Sequence, residues 1–245
     1  MASTQNGTKI TWFGHATFIY ETPGGKRIMI DPWLAGNPAC PDNLKHVDNL
    51  DAMLITHGHF DHITDAVAVA MSAKPDVVLG ILEISNWLEK KGVQNVTGMN
   101  KGGTVDVVGV KVTMLHADHS CGITEEDGSI IYGGEAVGYF MQMENGLKIY
   151  QSGDTALFSD LRLYGELFAP DIAVLPIGDY FTMDPRQAAY ACEMLGVRQV
   201  IPSHFGTFPI LTGTPEMLRH ELSKRGYKCE VLEMKPGQTL TLPVS

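Results

Sequence analysis

Short apolar runs, several alternating with polar positions, recur along most of this chain, and they predict strands more often than helices. Strands are expected over residues 9–13, 17–21, 27–30, 52–55, 76–79, 105–108, 110–115, 137–143, 147–151, 172–175, 199–201, 228–233 and 239–242. Asp31-Pro32 ends the third of these, because proline cannot continue a ladder. Glu144-Asn145-Gly146 between two apolar runs is a hairpin signal. Helical spacing covers four stretches. Thr64 or Asp65 caps one that runs to about Ala73, 84–91 is closed by Gly92, Asp184 and Pro185 open one that Gly196 stops after Leu195, and the last spans 215–224. Residues 35–43 read as a surface loop, and no low-complexity linker interrupts the order. Two similar halves packed sheet on sheet, with helices outside, fit this order. A doubly wound sheet fits it too, and periodicity does not decide between them.

Composition narrows the function classes. Hydrophobic residues make up 44% of the 245 positions and charged residues 19%, as in an ordinary globular enzyme. The formal charge of -10 argues against nucleic acid or an anionic membrane as partner, although bound divalent cations would offset it locally. No apolar run approaches the roughly 18 residues of a membrane span. Residues 1–7 lack the basic-then-apolar pattern of a secretion signal, so the cytoplasm is expected. Cys40, Cys121, Cys192 and Cys229 are scattered without a CxxC pair, which reads as small buried or partly buried thiols in a reducing compartment. Cys121 lies two positions from His119, close to the chemistry described next.

The run 52–55 opens into Thr56-His57-Gly58-His59-Phe60-Asp61-His62, three imidazoles and a carboxylate in close succession. Neutral imidazole is the commonest side-chain ligand of zinc, iron, nickel or manganese. Open α/β sheets place their sites at the C-terminal edge of strands, where this run falls. Three later residues share the context: His119 after 110–115, Asp154 within Ser152-Gly153-Asp154-Thr155, and His204 within Pro202-Ser203-His204-Phe205-Gly206. With His57, His59, Asp61 and His62 they make seven candidate ligands, enough for two metals sharing a carboxylate. Residues two apart on an extended segment point the same way, so His57 and His59 can share one ion. Asp61 and His62 lie past the strand, where a turn can redirect them to the other.

The order His57-x-His59-x-Asp61-His62, then His119, Asp154 and His204, resembles the metallo-β-lactamase superfamily over essentially the whole chain. Phe13-Gly14-His15, Ile30-Asp31-Pro32, the run from Ser152 to Phe158, Leu175-Pro176-Ile177-Gly178-Asp179 and Phe181-Thr182-Met183 resemble its small metal-dependent hydrolases, related to the ascorbate-phosphate lactonase branch. The resemblance implies an α/β fold, a four-layer αββα sandwich of two mixed sheets with helices outside, as a single domain over 1–245. It implies that His57, His59 and His119 hold one divalent metal and Asp61, His62 and His204 another, with Asp154 bridging them. A hydroxide between the ions would be the nucleophile, oriented by Asp61, which would later take up its proton. Zinc is the default for such a ligand set, and manganese, iron and nickel also suit it. His59 stands where di-iron redox members carry glutamate, and no cysteine takes the place of Asp154 as in the main β-lactam-cleaving branch. Nothing after His204 resembles the helical addition of glyoxalase II, and the chain is short for the inserted domain of the nuclease branches.

The expected function is hydrolysis of a small-molecule lactone, ester or amide. Three rivals stand beside it. A phosphodiesterase acting on a small phosphorylated substrate would favour Arg or Lys in the pocket loops, and the candidate loops 35–43 and 120–136 contain neither. A non-catalytic metal-binding module would be marked by a missing ligand, and all seven positions are filled. A mononuclear oxygenase would need a single redox-active iron. A small molecule is the expected partner, and a homo-oligomer is compatible with the sequence. His15 either contacts substrate or orients a ligand, or is a turn histidine. His116 competes with His119 as ligand. Asp31 is either an acceptor for a ligand imidazole or a turn cap. Asp179 either lines the cleft or holds its loop, Asp184 is a helix cap, and His46 and His220 read as surface residues.

Overall fold

The computed structural model describes residues 7–242, so all but the last of the positions read for a secretion signal lie outside the described residues. Two seven-stranded mixed sheets carry the fold. The first contains β1 (Thr8–Trp12), β2 (Phe18–Glu21), β3 (Arg27–Ile30), β4 (Ala52–Leu54), β5 (Val77–Ile81), β6 (Val96–Met99) and the last strand, β16 (Thr239–Leu242). Its spatial order is β16-β1-β2-β3-β4-β5-β6, and the pairings from β3 to β6 are parallel. The second contains β7 (Thr104–Val107), β8 (Val110–His116), β11 (Val137–Gln142), β12 (Lys148–Gln151), β13 (Ile172–Pro176), β14 (Gln199–Ser203) and β15 (Glu230–Val231). Its order is β15-β14-β13-β12-β11-β8-β7, with the pairings from β12 to β15 parallel. A small hairpin, β9 (Gly122–Thr124) with β10 (Ile130–Tyr132), stands where the sequence reading expects a pocket loop.

Side-chain alternation assigns the two faces of the second sheet. Val112, Met114, Tyr139, Met141, Ile149, Ile172, Val174 and Ile201 share one core with Ile10, Tyr20, Met29 and Met53 of the first sheet. The intervening Phe140, Tyr150, Ala173, Leu175 and Val200 belong to a second core with three helices, α4 (Leu161–Phe168), α5 (Pro185–Leu195) and α6 (Pro215–Lys224). This period of two is what a strand buried on both faces requires. The remaining helices, α1 (Phe60–Ile63), α2 (Ala66–Ala73) and α3 (Leu82–Lys90), fall in the first half of the chain. The chain is thus the α/β sandwich, and the doubly wound alternative falls away.

Two phenols tie the sheets together through the apolar layer. Tyr20 Oη donates to Gln151 Oε1 at 2.6 Å, and Tyr139 Oη donates to the Ile55 carbonyl at 2.6 Å. Burial without a partner would leave each hydroxyl with its full desolvation penalty. Asp184 caps α5, as expected, by accepting from the Gln187 amide at 2.6 Å. Gly196 ends α5 in the left-handed region at φ 71°, where a glycine meets no Cβ penalty.

Candidate metal centre

Every candidate ligand lies past the C-terminal end of a strand at the same edge of the sandwich, Asp61 and His62 within the short helix α1 rather than on a turn. β4 leads into His57, His59, Asp61 and His62, β8 into His119, β12 into Asp154, and β14 into His204. The turn between β1 and β2 adds His15, and Asp31 directly follows β3. His15, Asp31 and His204 hold φ of 56°, 51° and 53°, a left-handed conformation that non-glycine residues avoid. Three such residues at one edge are strain concentrated at a site.

One carboxylate oxygen is the centre of the arrangement. Asp154 Oδ2 lies 3.0 Å from His204 Nε2, 3.2 Å from His62 Nε2, 3.8 Å from His119 Nε2 and 3.9 Å from His57 Nε2. Near it the ligand atoms form two separate groups, and a third, Asp31 with His57 and His62, overlaps both. His57, His59 and His119 converge on one side, and His15, Asp61, His62 and His204 on the other, with the atoms of each group within 4.8 Å of one another. His116 lies outside both groups, 3.4 Å from Lys101 Nζ and edge-on to Phe158.

Hydrogen bonds fix which imidazole nitrogen faces inward. Asp31 Oδ1 accepts from the Thr56 amide at 2.7 Å, and its Oδ2 accepts from Thr56 Oγ1 at 2.6 Å and from His62 Nδ1 at 2.8 Å. Thr56 Oγ1, its own proton committed to Asp31, accepts from His57 Nδ1 at 3.0 Å. Both rings therefore turn an unprotonated Nε2 toward Asp154 when neutral, as metal-ligating histidines do. On the other side His15 Nε2 donates to Asp61 Oδ2 at 2.9 Å, and its Nδ1 accepts from Thr207 Oγ1 at 2.9 Å. The His15 carbonyl accepts from the His204 amide at 3.0 Å, joining the first turn of the chain to its last candidate ligand.

Charge follows this geometry. Burial opposes ionisation of Asp154, but the imidazoles of His204 and His62 outweigh it and hold the carboxyl well below the usual range. Burial likewise opposes protonation of His204, yet Asp154 and then Asp61 push it up to about 9. His62 is raised well above the ordinary value against its burial, by Asp154 and Asp31. His15 is lowered to about 4, by burial and then by His204, and His57 well below its usual value by burial. The site is a cage of carboxylates and imidazoles, some of which stay neutral at pH 7.

The donor set fits divalent metal. His62 Nε2, Asp154 Oδ1 and both ring nitrogens of His204 are buried without a hydrogen-bond partner among the described residues. His59 Nδ1 lies 3.1 Å from His57 Nε2 and 3.2 Å from His119 Nε2. Ligands about 2.0 Å from a tetrahedral zinc are about 3.3 Å apart, so these two separations match one coordination shell.

A model of the beta-lactamase superfamily domain matches residues 26–205, from just before β3 to the turn after β14 that carries His204. The chain belongs to that superfamily. A UPF0173 metal-dependent hydrolase from Koribacter versatilis is 58% identical over 95% of this chain and 97% of its own length. One from Rubrobacter xylanophilus is 52% identical over 96% of each. The structure of Igni18, a metallo hydrolase from the archaeon Ignicoccus hospitalis, is 34% identical and covers 97% of this chain and 99% of its own, with a TM-score of 0.83. An isothiocyanate hydrolase from Delia radicum gut bacteria shares the fold at 20% identity and a TM-score of 0.71, over 97% of this chain and 100% of its own. These relatives place the chain among metal-dependent hydrolases of the metallo-β-lactamase fold.

Some participants escape sequence reasoning. Thr56 and Thr207, which set the tautomers of His57 and His15, carry no signal beyond their place beside a histidine run and after Gly206. Asp179 is exposed on a loop and joins neither ligand group. His46 and His220 are exposed, as expected. Cys121 is buried beneath the small hairpin, where its Sγ donates to the Gly133 carbonyl.

Proposed function

We propose that this chain is a dinuclear hydrolase that cleaves an ester, lactone or amide of a small molecule, acting as a single domain in the cytoplasm. The observation that carries the reading is Asp154 Oδ2 among four imidazole nitrogens, with a ligand group on either side. His57, His59 and His119 would hold one ion, Asp61, His62 and His204 the other, and Asp154 would be shared. Zinc suits these nitrogen and carboxylate donors, with manganese, iron and nickel as alternatives for the test. Bound metal would supply the Lewis acidity that activates a water and polarises the scissile carbonyl.

The chain's own residues supply orientation. His15 is lowered to about 4 and is therefore neutral at pH 7, so its Nε2 keeps one proton and gives it to Asp61 as a hydrogen bond. Thr207 Oγ1 holds the opposite nitrogen as an acceptor, which locks the ring. Asp61 is held well below the ordinary carboxyl value: burial opposes this, and the hydrogen bond from His15, with the His204 imidazole 3.6 Å away, prevails. Such a carboxyl serves better to fix a ligand and orient water than to store a proton. Asp31 and Thr56 keep His62 and His57 aimed inward.

Elemental analysis of the purified protein should find close to two equivalents of transition metal. Asp154→Ala should lose metal together with hydrolysis of ester and lactone probes, and full metal retention in that variant would overturn the bridging role. Turnover of bis(4-nitrophenyl) phosphate without turnover of any ester would move the reading to a phosphodiesterase.

A further inference from the structure

β13 lies between β12 and β14, whose ends carry Asp154 and His204. The loop after β13 therefore emerges between two candidate ligand loops, yet contributes no side chain to either ligand group. It is fastened to both neighbours. Met183 N donates to the Thr155 carbonyl at 3.2 Å, and a Cβ on Gly178 would come within 2.0 Å of the His204 carbonyl. At its tip Tyr180 and Phe181 are 66% and 55% exposed, with their rings edge-on at 4.6 Å. Tyr180 sits at φ 58°, and Asp179 before it at φ 68°. A bulky residue in the left-handed region is an outlier that surrounding structure must impose. Here the imposed conformation keeps two aromatic rings in solvent, although their burial would be favourable.

We propose that Tyr180 and Phe181 form the wall that receives a flat apolar group of the substrate beside the bond to be cleaved, which makes aromatic lactones and esters the substrate class. The cleavage rests on the hydrolase reading above, and the wall itself on the position of the loop. Aromatic faces pair with flat apolar groups in offset or edge-on geometry, and a rigid ring supplies such contact at low conformational-entropy cost.

The test compares dihydrocoumarin, an aromatic lactone, with γ-butyrolactone, an aliphatic one, on the zinc-loaded protein. In the double variant Y180A/F181A, KM for dihydrocoumarin should rise at least about tenfold with kcat little changed, the loss expected for two ring contacts. KM for γ-butyrolactone and the zinc content should stay as in the parent, and Y180F with F181W should restore the aromatic preference. Calorimetric titration with 2-naphthoate needs no turnover and should show the same roughly tenfold loss in the alanine variant. No turnover of either lactone would overturn the hydrolase reading and leave the titration to decide the wall. Equal naphthoate affinity in parent and variant, or no binding by the parent, would overturn the wall.

Discussion

Asp31 is one buried carboxylate that orients two imidazoles, directly at His62 and through Thr56 at His57. Asparagine keeps its shape but offers one acceptor oxygen, so Asp31→Asn should weaken metal binding roughly 10- to 100-fold, read by competition with a chromogenic chelator. Charge at the site gives a second expectation, for the metal-free protein. His204 is pushed up to about 9 from an ordinary 6.5, so its protonated form favours the folded state. That contribution is complete below about pH 6.5 and fades as pH rises through 9, because the unfolded chain no longer binds the proton that the folded chain must give up. Chelator-treated protein should therefore lose Tm between pH 7 and 9.5 in a calorimetric scan, and a flat profile would contradict it. That the candidate ligands would gather at one edge was legible in the sequence because each follows an apolar run. Thr56 and Thr207 were not, because a threonine's role as hydrogen-bond partner to a histidine ring depends on a tautomer that spacing does not encode.

Among elements, α4 shows why some were hidden. Its sequence, LRLYGELF, sets Leu161, Tyr164 and Phe168 at helical spacing toward the core, but the glycine in the middle of so short a run lowers its propensity and hides it. The structure gives the reason for the glycine: a Cβ at Gly165 would lie 2.7 Å from both the Leu195 and the Met194 carbonyls. Ala in place of Gly gains about 1 kcal/mol of helix propensity, but the clash with fixed backbone costs about 1 to 3 kcal/mol. The clash should win, so Gly165→Ala should lower the urea midpoint, whereas propensity alone would raise it. β6 was missed for a related reason, since its residues are only partly buried and Gly98 interrupts the run. The hairpin of β9 and β10 was missed because Ile130, Ile131 and Tyr132 are exposed and flanked by glycine and acidic residues, which read as loop. The long strands β8 and β11, with Asp184-Pro185 and Gly196 at the ends of α5, were plain because burial, turn residues and caps agree there.

At the scale of the molecule, the sandwich holds together through an apolar layer and a few polar ties across it. Tyr139→Phe removes the donor to the Ile55 carbonyl, just ahead of the histidine run. It should cost about 1 to 3 kcal/mol of unfolding free energy in urea and leave metal content unchanged. Metal removal should act on the whole chain: a site filled at 1,000 times its Kd adds about 4 kcal/mol, so a chelator should lower Tm by several degrees in the parent and little in Asp154→Ala. The ligand residues run from His57 to His204, and the amide of the last is hydrogen-bonded to the carbonyl of His15. On a ribosome the chain releases these groups one after another, and the centre closes only when the loop after β14 has emerged. Metallation would then have to wait for that loop, and a nascent chain stalled before it would hold an incomplete cage, unable to close around metal.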